Sequence, residues 1–129
     1  MITVNGASDR IFASCLDGVR YGGRSHIGQR KENQDEIRLP ASDENRDGRG
    51  MLFAVADGMG GHGGASIVGR MACDGLAAYH GRAMPENGRN HAPALVRHLV
   101  GTIFRIDRRI RVAGRKDPAL EEMGTTLSC

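Results

Sequence analysis

Tryptophan is absent from this 129-residue sequence, and aromatic side chains are thin altogether, with three Phe and two Tyr. A hydrophobic core must therefore come from Val, Ile, Leu, Met and Ala. Cysteine is scarce and odd in number, at Cys15, Cys73 and Cys129, without C-x-x-C spacing. That excludes a disulfide framework and a zinc ribbon. No apolar run exceeds Met51–Ala56, far short of the roughly 20 residues of a membrane helix. The amino-terminal residues lack the basic-then-apolar pattern of a signal peptide. The expectation is a soluble cytoplasmic protein without a membrane partner. Charge of one sign is also missing in excess. Eighteen Lys and Arg against 15 Asp and Glu leave a net charge of +3 and a pI near 9.1. This lacks the clustered excess of a dedicated nucleic-acid binder, so no nucleic acid is expected as partner. The length allows one domain or part of one.

What the sequence has is glycine, 19 residues, about twice the usual share of ~7%. Many crowd between Gly58 and Gly64. Along the chain, periodicity assigns nothing to residues 1–17. Residues 19–27, VRYGGRSHI, read as a strand weakened by its glycines. Gln34 to Leu39 alternate as a short strand, and 40–50 is a polar loop. Met51–Ala56, a continuous apolar run between turn signals, predicts a strand buried on both faces and ending at Asp57-Gly58. Val68, Ala72, Leu76 and Tyr79 recur at helical spacing and predict a helix from Ala65 to about His80, with Cys73 facing the core. Pro93 fits the first turn of a second helix. Leu95, Leu99, Ile103, Ile106 and Ile110 line one face of it, and Gly114 can end it. A last strand begins near Gly124. No repeat or low-complexity tract is present. Strands, then helices, then a returning strand predict a mixed α/β (α+β) layered fold rather than strict βαβ alternation.

Two clusters can carry chemistry. In Val55-Ala56-Asp57-Gly58-Met59-Gly60-Gly61-His62-Gly63-Gly64, a strand delivers a carboxylate to its end and glycine lets the backbone approach whatever sits there. A carboxylate beside a free carbonyl suits a hard cation such as Mg²⁺ or Mn²⁺. The plainer alternative is a glycine-rich turn whose Asp caps the next helix, but four further glycines and a histidine exceed what a turn requires. In Arg30-Lys31-Glu32-Asn33-Gln34-Asp35, Arg30 offers a planar fork for phosphate oxygens and Asp35 a second carboxylate. Taken alone, such a cluster is more often a solvated turn with a local salt bridge.

Three look-alikes are weaker. Gly58–Gly63 matches G-x-G-x-x-G, yet Asp57 would put a negative charge beside a pyrophosphate and no second acidic strand follows, so dinucleotide binding is disfavoured. Asp43, Asn45, Asp47 and Gly48 resemble the start of a calcium loop, but the twelfth position is Ala54 instead of Glu. The basic residues Arg105, Arg108, Arg109, Arg111, Arg115 and Lys116 read as the solvated side of the second helix.

Arg30 to Asp35, the strand followed by Asp57-Gly58-Met59-Gly60-Gly61-His62, and Met123-Gly124-Thr125-Thr126-Leu127 form, in this order, a pattern far more specific than any one piece. It resembles the PPM-type (type 2C) metal-dependent Ser/Thr protein phosphatases, in the form common in bacteria. The resemblance runs from about Gly18 to Leu127, which leaves 1–17 as an N-terminal segment and 18–129 as an incomplete phosphatase domain. It implies the N-terminal part of a four-layer αββα sandwich, two antiparallel sheets face to face with helices outside. It also implies two Mn²⁺ or Mg²⁺ ions at one edge between the sheets. Carried over by position, Asp57 would bridge the metals, the Gly58 carbonyl would bind one, and Asp35 would hold a metal or its water. Arg30 would bind the substrate phosphate. The implied reaction is hydrolysis of phosphoserine and phosphothreonine in protein substrates, by a water made acidic between two cations and attacking phosphorus in line. A cognate Ser/Thr kinase is the implied opposing partner.

The sequence departs from the family in places that matter. Met59 stands where some members have a histidine proposed as the general acid, which leaves His62 or a metal-bound water for that task. Gln34 stands where an acid is frequent, and an amide cannot take a proton. Ala65-Ser66 replaces the usual G-E. The later metal aspartates of the family do not occur in these residues, so the chain is expected to be a fragment, inactive alone. The alternative to an enzyme is a phosphatase-like binding or regulatory module without activity.

Overall fold

In a computed structural model describing residues 2–5, 9–41, 50–60, 64–82 and 92–129, Asp17 and Gly18 take φ values of +50° and +78°. Two successive left-handed residues are what a two-residue hairpin turn requires, and Asp-Gly is among the pairs that adopt it most readily. The turn joins β2 (Asp9–Leu16) to β3 (Val19–His26), closing on the pair Leu16 and Val19. β1 (Ile2–Asn5) pairs with the other edge of β2, so residues expected to lack an element supply two strands of an antiparallel sheet ordered β1-β2-β3. Their period was hidden because both faces of β2 are mixed: Phe12, Ser14 and Leu16 are half-buried, while Ile11, Ala13 and Cys15 are exposed.

The second sheet is also antiparallel, ordered β4-β5-β6, from β4 (Asp35–Arg38), β5 (Ala54–Met59) and β6 (Gly124–Thr125). A bridge between Val55 and Ser128 extends the last pairing. β5 differs from expectation in two respects. It begins three residues later, so Asp57 and Gly58 lie inside it, and it is not buried on both faces. Ala54, Ala56 and Gly58 are buried while Val55, Asp57 and Met59 are exposed. A continuous apolar run does not distinguish a two-faced strand from a one-faced strand preceded by packed coil. Here Leu52 packs against the core from the coil, and the Phe53 ring meets Tyr21 edge-on at 5.3 Å.

α1 (Gly64–His80) lies on the face of β5 formed by its small residues. The core consists of Ala54, Ala56, Ala72, Cys73, Leu76 and Ile106, flanked by Leu52, Leu99, Ile110 and Leu127. α2 (Ala92–Lys116) crosses α1 at Gly75, where an added Cβ would stand 2.4 Å from Ile106 Cγ1. Of the predicted apolar stripe on α2, Ile106 is buried, Leu95, Leu99 and Ile110 are half-buried, and Ile103 is exposed. The basic side chains Arg105, Arg108, Arg109, Arg111 and Arg115 are exposed, with Arg111 paired to Asp107 at 2.8 Å one turn away. Gly114 does not end the helix. It is a buried interior position where the following 3₁₀ turn (Pro118–Leu120) approaches, its would-be Cβ 2.9 Å from the Leu120 carbonyl.

The other face of the second sheet looks toward the first. Ile37 and Leu39 side-chain carbons lie 3.5 and 3.8 Å from where a Cβ on Gly23 of β3 would be, and the Tyr21 hydroxyl donates to the Pro40 carbonyl at 3.1 Å. The molecule is thus a mixed α/β structure of two antiparallel sheets with helices on the outer side of one.

Two glycines set the closest approaches, and they are not equivalent. A Cβ on Gly58 would meet the Ala65 carbonyl oxygen at 1.9 Å, a backbone atom, whereas one on Gly75 meets side-chain atoms of Ile106, Cγ1 at 2.4 Å and Cδ1 at 2.7 Å. We expect Gly58→Ala to cost about 3 kcal/mol. Gly75→Ala should cost about 1 kcal/mol, because the gain in helix propensity offsets part of the overpacking. Urea unfolding of both variants checks the ranking, and equal losses would refute it.

Candidate active site

The register of β4 on β5 pairs Asp35 directly with Asp57, and Ile37 with Val55. Side chains alternate along a strand, so both carboxylates fall on the face turned away from α1. Directly opposed residues in an antiparallel ladder have Cβ atoms about 4.5–5.5 Å apart, and like charges so placed repel. Among the described residues neither carboxylate has an ion-pair or hydrogen-bond partner. Two carboxylates thus stand opposite each other, without an ion-pair partner for either among the described residues.

The main chain around this pair is tightly specified. The Gly58 N–H donates to the Gln34 carbonyl at 3.1 Å. The N–H and C=O of a strand residue point to the same edge, so the Gly58 carbonyl is directed toward β4 as well. On the β6 side, Thr126 holds Asp57 twice: its N–H donates to the Asp57 carbonyl at 3.0 Å, and its Oγ1 accepts from the Asp57 N–H at 3.3 Å. The Thr125 hydroxyl is also 3.0 Å from the Asp57 carbonyl. Gly60, at φ +145°, sits 3.1 Å through its would-be Cβ from the Met123 Cα, so the Met123–Thr126 segment abuts the start of the glycine run.

Asn33 does comparable work at the entrance to β4. Its Nδ2 donates to the Oγ of buried Ser25 at 2.8 Å, and its Oδ1 accepts from the Asp35 N–H at 3.1 Å. Sequence reasoning quoted Asn33 without a role. The signal is local, since an Asn two residues before Asp35 can fold an Asx turn onto it. Thr126 was likewise read only as part of a motif.

Of the predicted site residues, Asp35, Asp57 and Gly58 are brought together. Arg30 lies in the segment between β3 and β4, exposed to solvent, with its N–H on the Ile27 carbonyl at 3.2 Å. His62 lies outside the described residues, as do the calcium-loop look-alike at 43–48 and the loop at 83–90. The dinucleotide alternative fails on topology: both neighbours of β5 run antiparallel, where the nucleotide motif needs a parallel βαβ unit. Cys73 is no nucleophile. Burial pushes its thiol up to about 11, and its Sγ faces the Glu36 carbonyl.

Two carboxylates and a directed carbonyl suit a hard divalent cation, whose oxygen ligands they match. They fill only part of a cage, because among the described residues no group of three or more His, Cys, Asp or Glu is placed to hold a metal. A family model described as protein phosphatase 2C matches residues 22–129. No curated protein matches the chain. Among solved structures, the Mycobacterium tuberculosis serine/threonine phosphatase PstP/Ppp is similar, with a TM-score of 0.61 and 25% identity. The match covers 93% of this chain and 40% of that one, so the chain spans less than half of that phosphatase.

The uncompensated pair makes a prediction that needs no metal. In a chelator, either Asp57→Asn or Asp35→Asn removes one of two facing charges and should stabilise the protein by a few tenths of a kcal/mol. Thermal unfolding in EDTA measures this. A clear loss of stability in both variants would mean that the carboxylates are held by something other than each other's repulsion.

Proposed function

The chain belongs to the protein phosphatase 2C family, and we propose that it carries the Asp35–Asp57 arm of a metal-dependent protein serine/threonine phosphatase. Residues 18–129 would be the N-terminal part of the phosphatase domain and 1–17 a leading segment. The observation that supports this reading best is the facing carboxylate pair, neither member of which has an ion-pair partner among the described residues. Such a pair is stabilised most simply by a bound divalent ion.

In this reading Asp57 on the central strand, the Gly58 carbonyl and Asp35 on β4 are the groups that would hold Mn²⁺ or Mg²⁺. Divalent cations bound there supply an acidic water as nucleophile and offset charge on the phosphoryl group. Arg30, exposed to solvent, would present two N–H groups in a plane to two phosphate oxygens and so orient the phosphoryl group. The departing Ser or Thr oxygen needs a proton. Met59 cannot give one, which leaves His62 or a metal-bound water for the task. An octahedral cation takes about six oxygens, several of them water, and because the later metal aspartates of the family do not occur in this sequence, the 129-residue chain alone should hydrolyse no phosphate ester. Substrates are phosphorylated proteins, set against a Ser/Thr kinase in a signalling pair. The free thiols Cys15, Cys73 and Cys129 fit a reducing cytoplasm. No helix among the described residues is long and apolar enough to cross a membrane.

Met59 and Gln34 favour a second reading, a phosphatase-like module that binds phosphoproteins without hydrolysing them. The test is made on the full-length gene product with a phosphothreonine peptide, with and without Mn²⁺. Manganese-dependent release of phosphate is expected, abolished in Asp57→Asn with the fold intact. Arg30→Ala should raise KM by about tenfold or more, the loss of a charge-assisted bidentate contact, with metal affinity little changed. Absence of turnover at every Mn²⁺ concentration would favour the binding module. Undiminished activity in Asp57→Asn would refute the assignment of the metal arm.

A further inference from the structure

We propose that Arg10 of β2 is a positioning residue for Asp35, acting by capping the open edge of β4. The inference rests on the metal reading above and extends it to an element outside the matched residues 22–129.

Among the described residues β4 has one strand neighbour, β5. Because Gln34 turns its carbonyl to β5, the next residue, Asp35, turns its N–H and C=O to the other, unpaired edge. An unpaired edge carbonyl next to a functional side chain leaves that residue free to rotate or to recruit another strand. Both outward groups of Asp35 are instead taken by side chains. Asn33 accepts from the N–H at 3.1 Å, and the Arg10 guanidinium donates through Nη2 to the C=O.

The second arm of the same guanidinium, Nη1, lies 3.4 Å from Glu36 Oε2, an ion pair in which both side chains are largely covered, at 30% and 24% exposure. The Arg10 Nε is enclosed and has no partner, so the group is held by these two contacts. Arg10 thus spans from the first sheet to two successive residues of β4. A planar fork can do this and a point charge cannot do it as well. Asn33 and Arg10 together leave Asp35 one main-chain arrangement, with its carboxylate opposite Asp57.

The sign of the effect separates positioning from electrostatics. Removing a positive charge near a cation site, taken alone, tightens cation binding. Loss of a positioning contact behind a ligand loosens it, typically by tenfold or more. Arg10→Met keeps the apolar stem and removes the donors, while Arg10→Lys keeps the charge but not the fork. Mn²⁺ binding to the full-length protein is followed by the electron paramagnetic resonance of free Mn²⁺, beside thermal unfolding in EDTA, with Asp57→Asn as reference.

The expected order of affinity is wild type, then Arg10→Lys, then Arg10→Met, with Arg10→Met weaker by about tenfold and its melting temperature nearly unchanged. An Arg10→Met protein that binds Mn²⁺ as wild type does, or more tightly, overturns the role of Arg10 while leaving the metal site standing. A loss of affinity matched by a collapse in melting temperature, without graded rescue in Arg10→Lys, also overturns it, since Arg10 would then serve the fold alone. Equal Mn²⁺ binding by wild type and Asp57→Asn overturns the metal reading itself and takes this inference with it.

Discussion

A slip of one residue between β4 and β5 would turn Asp35 to the opposite face from Asp57, because successive side chains alternate across a strand. The site consists of that register. It is set on the β4 side by the Gly58–Gln34 hydrogen bond and on the β6 side by the double hold of Thr126 on Asp57. These bonds are made by main-chain groups and by residues with no acid–base chemistry of their own. What they produce is a direct juxtaposition of two carboxylates across a ladder.

The register in turn depends on how closely α1 lies on β5. Ala54, Ala56 and Gly58 present almost no side chain to the helix, and the Ala65 carbonyl sits where a Cβ on Gly58 would be. Gly58 therefore has two duties. It admits the start of the helix, and as the neighbour of Asp57 it directs a carbonyl toward β4. Gly69 of α1 continues the same close packing, its would-be Cβ 3.4 Å from the Glu36 Cβ. Helix, central strand and edge strand are locked as one unit, and the carboxylates occupy the face that this packing leaves uncovered.

Particular residues show what could and could not be read in advance. Asp17-Gly18 is a strong hairpin signal, yet it carried no weight while the flanking residues showed no period, because β2 mixes polar and apolar residues on both faces. The run Met51–Ala56 reads as the best strand of the chain, buried on both faces, but the strand starts three residues later with one face exposed, and half of that run is coil. Gly114 reads as a helix stop by local rules, whereas its place is a close contact with a turn that follows. Asn33, Thr126 and Arg10 act through groups distant in sequence or through their own side-chain hydrogen bonds, and no periodicity reports such partnerships.

The sequence by itself determined which chemistry was available and in what order: two carboxylates, a glycine run after one of them, an arginine ahead of the other, and a Thr-Thr segment at a distance. It determined the helices too, since the 3.6-residue period and the spacing of glycines are local properties. Only the tertiary structure decided that Asp35 and Asp57 face each other, that β1 and β2 form a sheet with β3, and that Arg10 reaches β4. Those outcomes rest on pairings between distant segments, where one residue of register changes the face of every side chain, and local pattern contains no term for that choice.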